Sequence, residues 1–216
     1  SNNRLIALGY HSWPLCNVYS TLTPSIQNQV NFPKTAVMLV IFIHGPAAAG
    51  KYTIGSLLSQ QMGVPLFHNH LTVDLVSTLF AFGTAEFCQL RERIWLQSFA
   101  AASAAGQSFI FTFHPEASVA PDLVSRLQAC VEENGGQVQY IELDCGTETL
   151  LNRLGNEDRQ KFGKLSDRAL FSSLQEQGSF DYPSLPAPLL KIQTDQVSAE
   201  AAASQIMAAV KLQRMT

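Results

Sequence analysis

With 216 residues, 46% of them hydrophobic and 14% charged, the chain has enough apolar surface for a full core, which excludes disorder throughout and favours one domain with attachments. A formal net charge of -3 supplies no broad basic field for nucleic acid, so any phosphate affinity has to be local. The four cysteines include no Cys-x-x-Cys pair, the longest apolar run, 36–43, is too short for a bilayer, and no leader pattern opens the chain. Zinc ribbon, disulfide scaffold and membrane span are set aside, and a cytoplasmic protein is expected.

Residues 1–35, with Pro14, Pro24 and Pro33 and no sustained periodicity, read as an irregular N-terminal extension. From residue 36 to 212, short apolar runs alternate with helical segments, the pattern of an α/β domain whose parallel sheet is covered on both faces. Strands are expected over 36–44, 64–67, 108–113, 138–143 and 189–193. Helices are expected over 51–62, 71–81, 85–105, 119–134, 147–154, 167–177 and 198–212.

The first strand ends at His44 and runs through Gly45-Pro46-Ala47-Ala48-Ala49-Gly50 straight into the helix that begins Lys51-Tyr52-Thr53. A strand, a tight loop of small residues and a helix N-terminus aim backbone N–H groups and the positive end of the helix dipole at one point, which suits phosphate. Lys51 then supplies a point charge for the β- and γ-phosphates of a nucleoside triphosphate. Tyr52 occupies the position after the lysine where a Ser or Thr is usual, so the hydroxyl of Thr53 becomes the candidate contact to phosphate or Mg2+. The pattern Gly-x-x-x-x-Gly-Lys-x-Thr resembles that of adenylate-kinase-like nucleotide kinases.

Past the second strand comes Phe67-His68-Asn69-His70, at the strand end where ligands of open α/β sheets bind. If the strand continues that far, His68 and His70 share a face; acceptor hydrogen bonding, metal binding and a structural role are all open to them. Asp74, expected in the opening turn of the next helix, is a candidate general base, with a plain dipole partner as the alternative. Arg91, in the helix over 85–105, either reaches an anionic acceptor or lies on a solvated face. His114, after the third strand, is a candidate acceptor or phosphate contact.

Five of the fourteen Lys and Arg residues, Arg153, Arg159, Lys161, Lys164 and Arg168, fall in 152–168. A cationic segment at this point reads as a lid that closes over a triphosphate, with a solvated charged helix as the alternative. Thr194-Asp195 precedes the last helix; the loop either leads into a helix capped by Ser198 or also flanks a nucleotide base.

Taken together, the phosphate loop, the short second strand, the cationic segment and Thr194-Asp195 resemble P-loop small-molecule kinases of the shikimate-kinase and gluconate-kinase group. The resemblance implies a three-layer P-loop NTPase fold, a five-stranded parallel sheet in the order 2-3-1-4-5 and a lid. It implies ATP and Mg2+ as cofactors, with Arg153 packing on the adenine and Arg159 meeting the phosphates. His68-Asn69-His70 stands where shikimate kinases carry paired aspartates, and His114-Pro115-Glu116 where they carry a glycine-rich run. The expected activity is ATP-dependent phosphoryl transfer to a hydroxyl or phosphate of a small molecule. A P-loop ATPase that uses water and an inactive nucleotide-binding regulator are the alternatives.

Overall fold

Each apolar run becomes a parallel strand: β1 (Leu39–His44), β2 (Leu66–His68), β3 (Phe109–Phe113), β4 (Gln137–Asp144) and β5 (Leu190–Gln193). The helices between and after them are α1 (Lys51–Met62), α2 (Asn69–Ser77), α3 (Ala85–Ala104), α4 (Leu123–Glu132), α5 (Thr147–Leu154) and α6 (Ala199–Gln213). This is a computed structural model, and it describes residues 37–154, 171, 173, 177–180, 182–183 and 185–213. The expected extension over 1–35, almost all of the expected lid including Arg159, and most of the helix expected over 167–177 lie outside the described residues.

The sheet order is β2-β3-β1-β4-β5, as the resemblance implies. β1 is the central strand, paired with β3 on one side and β4 on the other. Its alternate side chains enter two separate cores, as a strand covered on both faces requires. Leu39, Ile41 and Ile43 pack with Ile54 and Leu58 of α1 and Ile206 and Val210 of α6. Val40 and Phe42 pack with Trp95 and Phe99 of α3 and Leu127 and Val131 of α4. Phe111 links this second core, with its ring 5.3 Å from Phe42, 5.1 Å from Phe99 and 5.8 Å from Trp95. Each such side chain contributes about 1.5–3 kcal/mol by leaving water, so the position of β1 at the heart of the sheet is strongly fixed.

Three elements differ from expectation near the sheet's carboxyl edge. β2 extends through His68, and α2 then begins at once with Asn69, two residues early, because the Asn69 N–H is taken by Thr112 Oγ1 of β3 at 3.2 Å. His70 is therefore a helical residue, which overturns the shared strand face proposed for His68 and His70. For the same reason Asp74 is the sixth residue of α2, past its first turn, and the helix-dipole argument for it fails. α4 starts four residues late, after a turn closed by the Leu123 N–H and the Ala120 carbonyl at 3.0 Å.

The parallel register brings one polar row to this edge. His44 is level with Phe113 of β3 and with Glu142 of β4, and Glu142 is level with Lys191 of β5.

Candidate active site

The loop between β1 and α1 is shaped by three positive φ angles: Gly45 at 145°, Ala48 at 63° and Gly50 at 87°. At Gly45 a side chain has no room, since a Cβ there would sit 2.0 Å from the Leu143 carbonyl oxygen of β4. Gly50 is the N-cap of α1 and offers no side-chain cap, and the first turn carries no acidic residue. A helix N-terminus so arranged presents its positive end to whatever lies over the loop. Lys51 Nζ donates to the carbonyls of Gly45 at 2.7 Å and Pro46 at 2.6 Å, which holds the ammonium against the loop. Pro46, Ala47 and Ala48 are partly exposed and Ala49 is buried under the loop. Tyr52 is half exposed, and Thr53 is exposed beside it.

Arg153, in the last turn of α5, staples the loop to the turn after β5. Its Nη1 donates to Thr194 Oγ1 at 3.0 Å and to the Ala48 carbonyl at 3.5 Å, and its Nη2 to the Thr194 carbonyl at 2.7 Å. Asp195 accepts from the Gly146 N–H at 3.0 Å. Arg153, Thr194 and Asp195, separated by some forty residues of sequence, thus form one rim of the loop.

On the β2 side, the His68 ring stands edge-on to Tyr52 at 5.0 Å and 6.5 Å from the His70 ring. Among the described residues no group of three or more His, Cys, Asp or Glu side chains is arranged to hold a metal ion, so the metal alternative for this pair has no third ligand there. Asp74 is exposed on α2.

Arg91 is not on a solvated face. Its side chain is wholly buried, with Nη1 2.6 Å from Glu116 Oε1 and 3.2 Å from Ser118 Oγ, and Nη2 2.9 Å from the Ser118 carbonyl. The guanidinium also lies 5.4 Å from the Phe87 ring and 5.0 Å from that of Trp95. In this arrangement it anchors the 116–118 loop, which corrects the solvated-face reading of Arg91.

His114 sits over the loop from the other side, with Nδ1 3.3 Å from the Gly45 carbonyl oxygen. That oxygen only accepts, so Nδ1 is the nitrogen that carries a proton in this contact. Next to it opens a cavity of about 360 Å³ between β1, β3, β4 and α5. Gly45 and Pro46 form its edge towards the phosphate loop, and His44, His114, Glu142 and Phe180 form much of its wall. The Phe180 ring is 5.2 Å from both His114 and Phe171.

His44 and Glu142 were not picked out by the sequence reading. The available signal was a polar residue closing or interrupting an apolar strand run, as in Ile43-His44 and Ile141-Glu142-Leu143. His44 is only 6% exposed, and its Nε2 has neither solvent contact nor a hydrogen-bond partner. Burial lowers its pKa to about 4, with Lys51 and Lys191 adding to the fall and Glu142 opposing it.

No protein-family model matches the chain, and no curated protein matches it. Solved structures do. A candidate kinase of Chloroflexus aurantiacus j-10-fl superposes with a TM-score of 0.59 at 18% identity, covering 81% of this chain and 99% of that one. A sugar kinase from Janibacter sp. HTCC2649 gives 0.56 at 16% identity, covering 82% and 95%. The APS kinase CysC of Mycobacterium tuberculosis, solved with AMPPNP and APS, gives 0.56 at 11% identity, covering 81% and 98%. The fold is that of the P-loop small-molecule kinases. A helix N-terminus that follows a strand and a tight loop is in general suited to anions, and ligands of open α/β sheets gather at the carboxyl edge. No described helix is long and apolar enough to cross a membrane.

Proposed function

We propose that this protein is an ATP-dependent phosphotransferase acting on a small molecule, and that the loop over residues 45–53 holds the triphosphate. The observation that carries this reading is the union of the Gly45–Gly50 turn with an uncapped helix N-terminus and with Lys51 Nζ already drawn onto the loop at 2.6–2.7 Å. Nucleotide phosphate oxygens offer Lys51 a stronger acceptor than the two carbonyls it now serves, because a charge-assisted bond to an anion outweighs one to a neutral group.

The residues present fit the cofactors of the reaction. Mg2+ keeps several waters and takes few protein donors beside phosphate oxygens, and the exposed hydroxyl of Thr53 would be such a donor. When bound, the ion neutralises charge on the triphosphate. Arg153 with Thr194 and Asp195 would form the adenine side of the site. Lys51 and, beyond the described residues, Arg159 would offset charge on the transferring group, the principal demand of phosphoryl transfer. The acceptor would enter at the carboxyl edge of the sheet, either on the β2 side, where His68, Asn69 and His70 stand with Asp74 as proposed base, or on the β3 side beside His114. The four cysteines, which include no Cys-x-x-Cys pair, favour the cytoplasm as the place where such an enzyme works.

Titration calorimetry with ATP and Mg2+ tests the nucleotide site, and phosphorus NMR of reactions with candidate acceptors tests transfer. Lys51→Ala is expected to weaken ATP binding at least tenfold and to abolish any phosphorylated product. Equal affinity in the variant would sink the assignment of the loop. ATP consumption by the wild type that no acceptor alters would favour the water-using ATPase instead.

A further inference from the structure

Resting on the phosphotransferase reading and deepening it, we propose that the cavity between β1, β3, β4 and α5 is the acceptor subsite, with His44 in its floor, and that it takes an uncharged, hydroxyl-bearing ring compound. Three independent features converge on that class.

The first is His44. A buried ring nitrogen with no hydrogen-bond partner is an unpaid cost inside a protein, and this one lies in a side chain that lines the cavity. The χ2 torsion of histidine is broad and soft, so the ring has freedom to turn, and in the proposed complex a ligand hydroxyl satisfies Nε2. The imidazole is neutral at physiological pH because burial disfavours its charged form. It therefore exchanges hydrogen bonds with hydroxyls and offers no charge to an acid.

The second is Glu142, level with His44 across the β1–β4 pairing and held by Lys191 Nζ at 2.6 Å on Oε1. A carboxylate in the wall accepts from hydroxyls, and because Lys191 is already paired with it, the pair offers no free positive charge to a carboxylate or phosphate on an acceptor. The third is the aromatic wall: Phe180 and Phe171 stack at 5.2 Å with their planes 29° apart, a flat apolar surface for the C–H face of a ring. The volume, about 360 Å³, lies at the small end of ligand pockets, roughly 300–1,000 Å³, and suits one ring rather than a polymer.

Location completes the argument. Gly45 and Pro46 belong both to the cavity edge and to the pair of carbonyls that Lys51 holds, so a hydroxyl in the cavity lies next to the loop that carries the triphosphate. Transfer forms the bond from that hydroxyl oxygen to the γ-phosphorus. It breaks the bond from the γ-phosphorus to the β–γ bridging oxygen, leaves ADP, and releases the hydroxyl proton to water. The competing location is the His68–His70 pair beside Tyr52, which the cavity does not touch.

The test uses the full chain with Mg2+ and a non-hydrolysable ATP analogue, followed by histidine side-chain nitrogen NMR, with the His44 signal assigned from His44→Gln. Titration with myo-inositol, glucose and uridine is set against gluconate and shikimate. The expected result is that at least one uncharged compound shifts His44 and binds, and that Glu142→Gln and Phe180→Ala each weaken it about tenfold while leaving affinity for the analogue unchanged. Binding by the acids alone, shifts confined to His68 or His70, or no binding by any of the uncharged compounds overturns the assignment. A wild-type chain that does not bind the nucleotide analogue fails the phosphotransferase reading itself, whereas nucleotide binding with any of those three outcomes fails only the cavity.

Discussion

At Gly45 and Ala48 the phosphate loop makes opposite demands. Gly45 holds φ at 145° with Leu143 O where a Cβ would go, so Gly45→Ala forces either the loop or β4 to move. It is expected to cost more than about 2 kcal/mol in urea unfolding and to reduce ATP affinity together with stability. Ala48, at φ 63°, is an L residue in the left-handed region, a placement that costs about 1–2 kcal/mol. Ala48→Gly removes that strain but adds freedom to the unfolded chain worth about 0.5–1 kcal/mol. The balance predicts a gain of up to about 1.5 kcal/mol, read as a higher denaturation midpoint with an unchanged slope. The sequence made the small residues of this loop legible. It did not make legible that Ala48 bears the strain, since alanine carries no local preference for a positive φ.

Between elements, the long-range partner is what local pattern hides. Arg91 sits in a helix whose neighbours read as core packers, yet the group that decides its role, Glu116, lies 25 positions away after β3. The loop it anchors extends the effect: Ala117 N–H donates to the Ser179 carbonyl at 2.9 Å, and Tyr182 OH to the Ala120 carbonyl at 3.0 Å. Arg91 therefore fixes the segment that carries Phe180 to His114. Removing Glu116 leaves the buried Arg91 with Glu92, 3.7 Å from its Nη2, as its carboxylate partner, so Glu116→Ala is expected to destabilise by about 2–3 kcal/mol. The double change Arg91→Met with Glu116→Ala should recover a large part of that loss in the same urea titration. A double variant no more stable than Glu116→Ala would show that the pair is not what anchors the loop. The histidines teach the same lesson: Phe67-His68-Asn69-His70 announced a strand end, but a hydrogen bond from Asn69 to Thr112 on another strand decided where α2 began.

For the molecule as a whole, strand runs and helix segments were readable because a parallel sheet buried on both faces needs apolar runs too regular to miss. The order β2-β3-β1-β4-β5 was not in the periodicity; it came from the resemblance of the phosphate loop and its surroundings. The polar row His44–Glu142–Lys191 exists only once that order and register are set, which is why no segment of sequence displayed it. One consequence of the row is a pH dependence of folding. The His44 pKa falls from 6.5 to about 4 in the folded chain, so on acidification the unfolded chain takes up its proton first. The stabilisation of the neutral ring is complete above about pH 6.5 and is lost progressively as pH falls towards 4. The full swing is roughly 3 kcal/mol. Glu142, Lys51 and Lys191 all act on the ring, and carboxylates elsewhere add their own acid sensitivity, so the comparison that isolates His44 is between wild type and His44→Gln. Urea unfolding at pH 7 and again near pH 4.5 should show the wild type losing about 2 kcal/mol more than the variant over that interval. Equal losses in the two proteins would mean that His44 is not buried neutral at the end of β1, and would remove the floor from the proposed acceptor cavity as well.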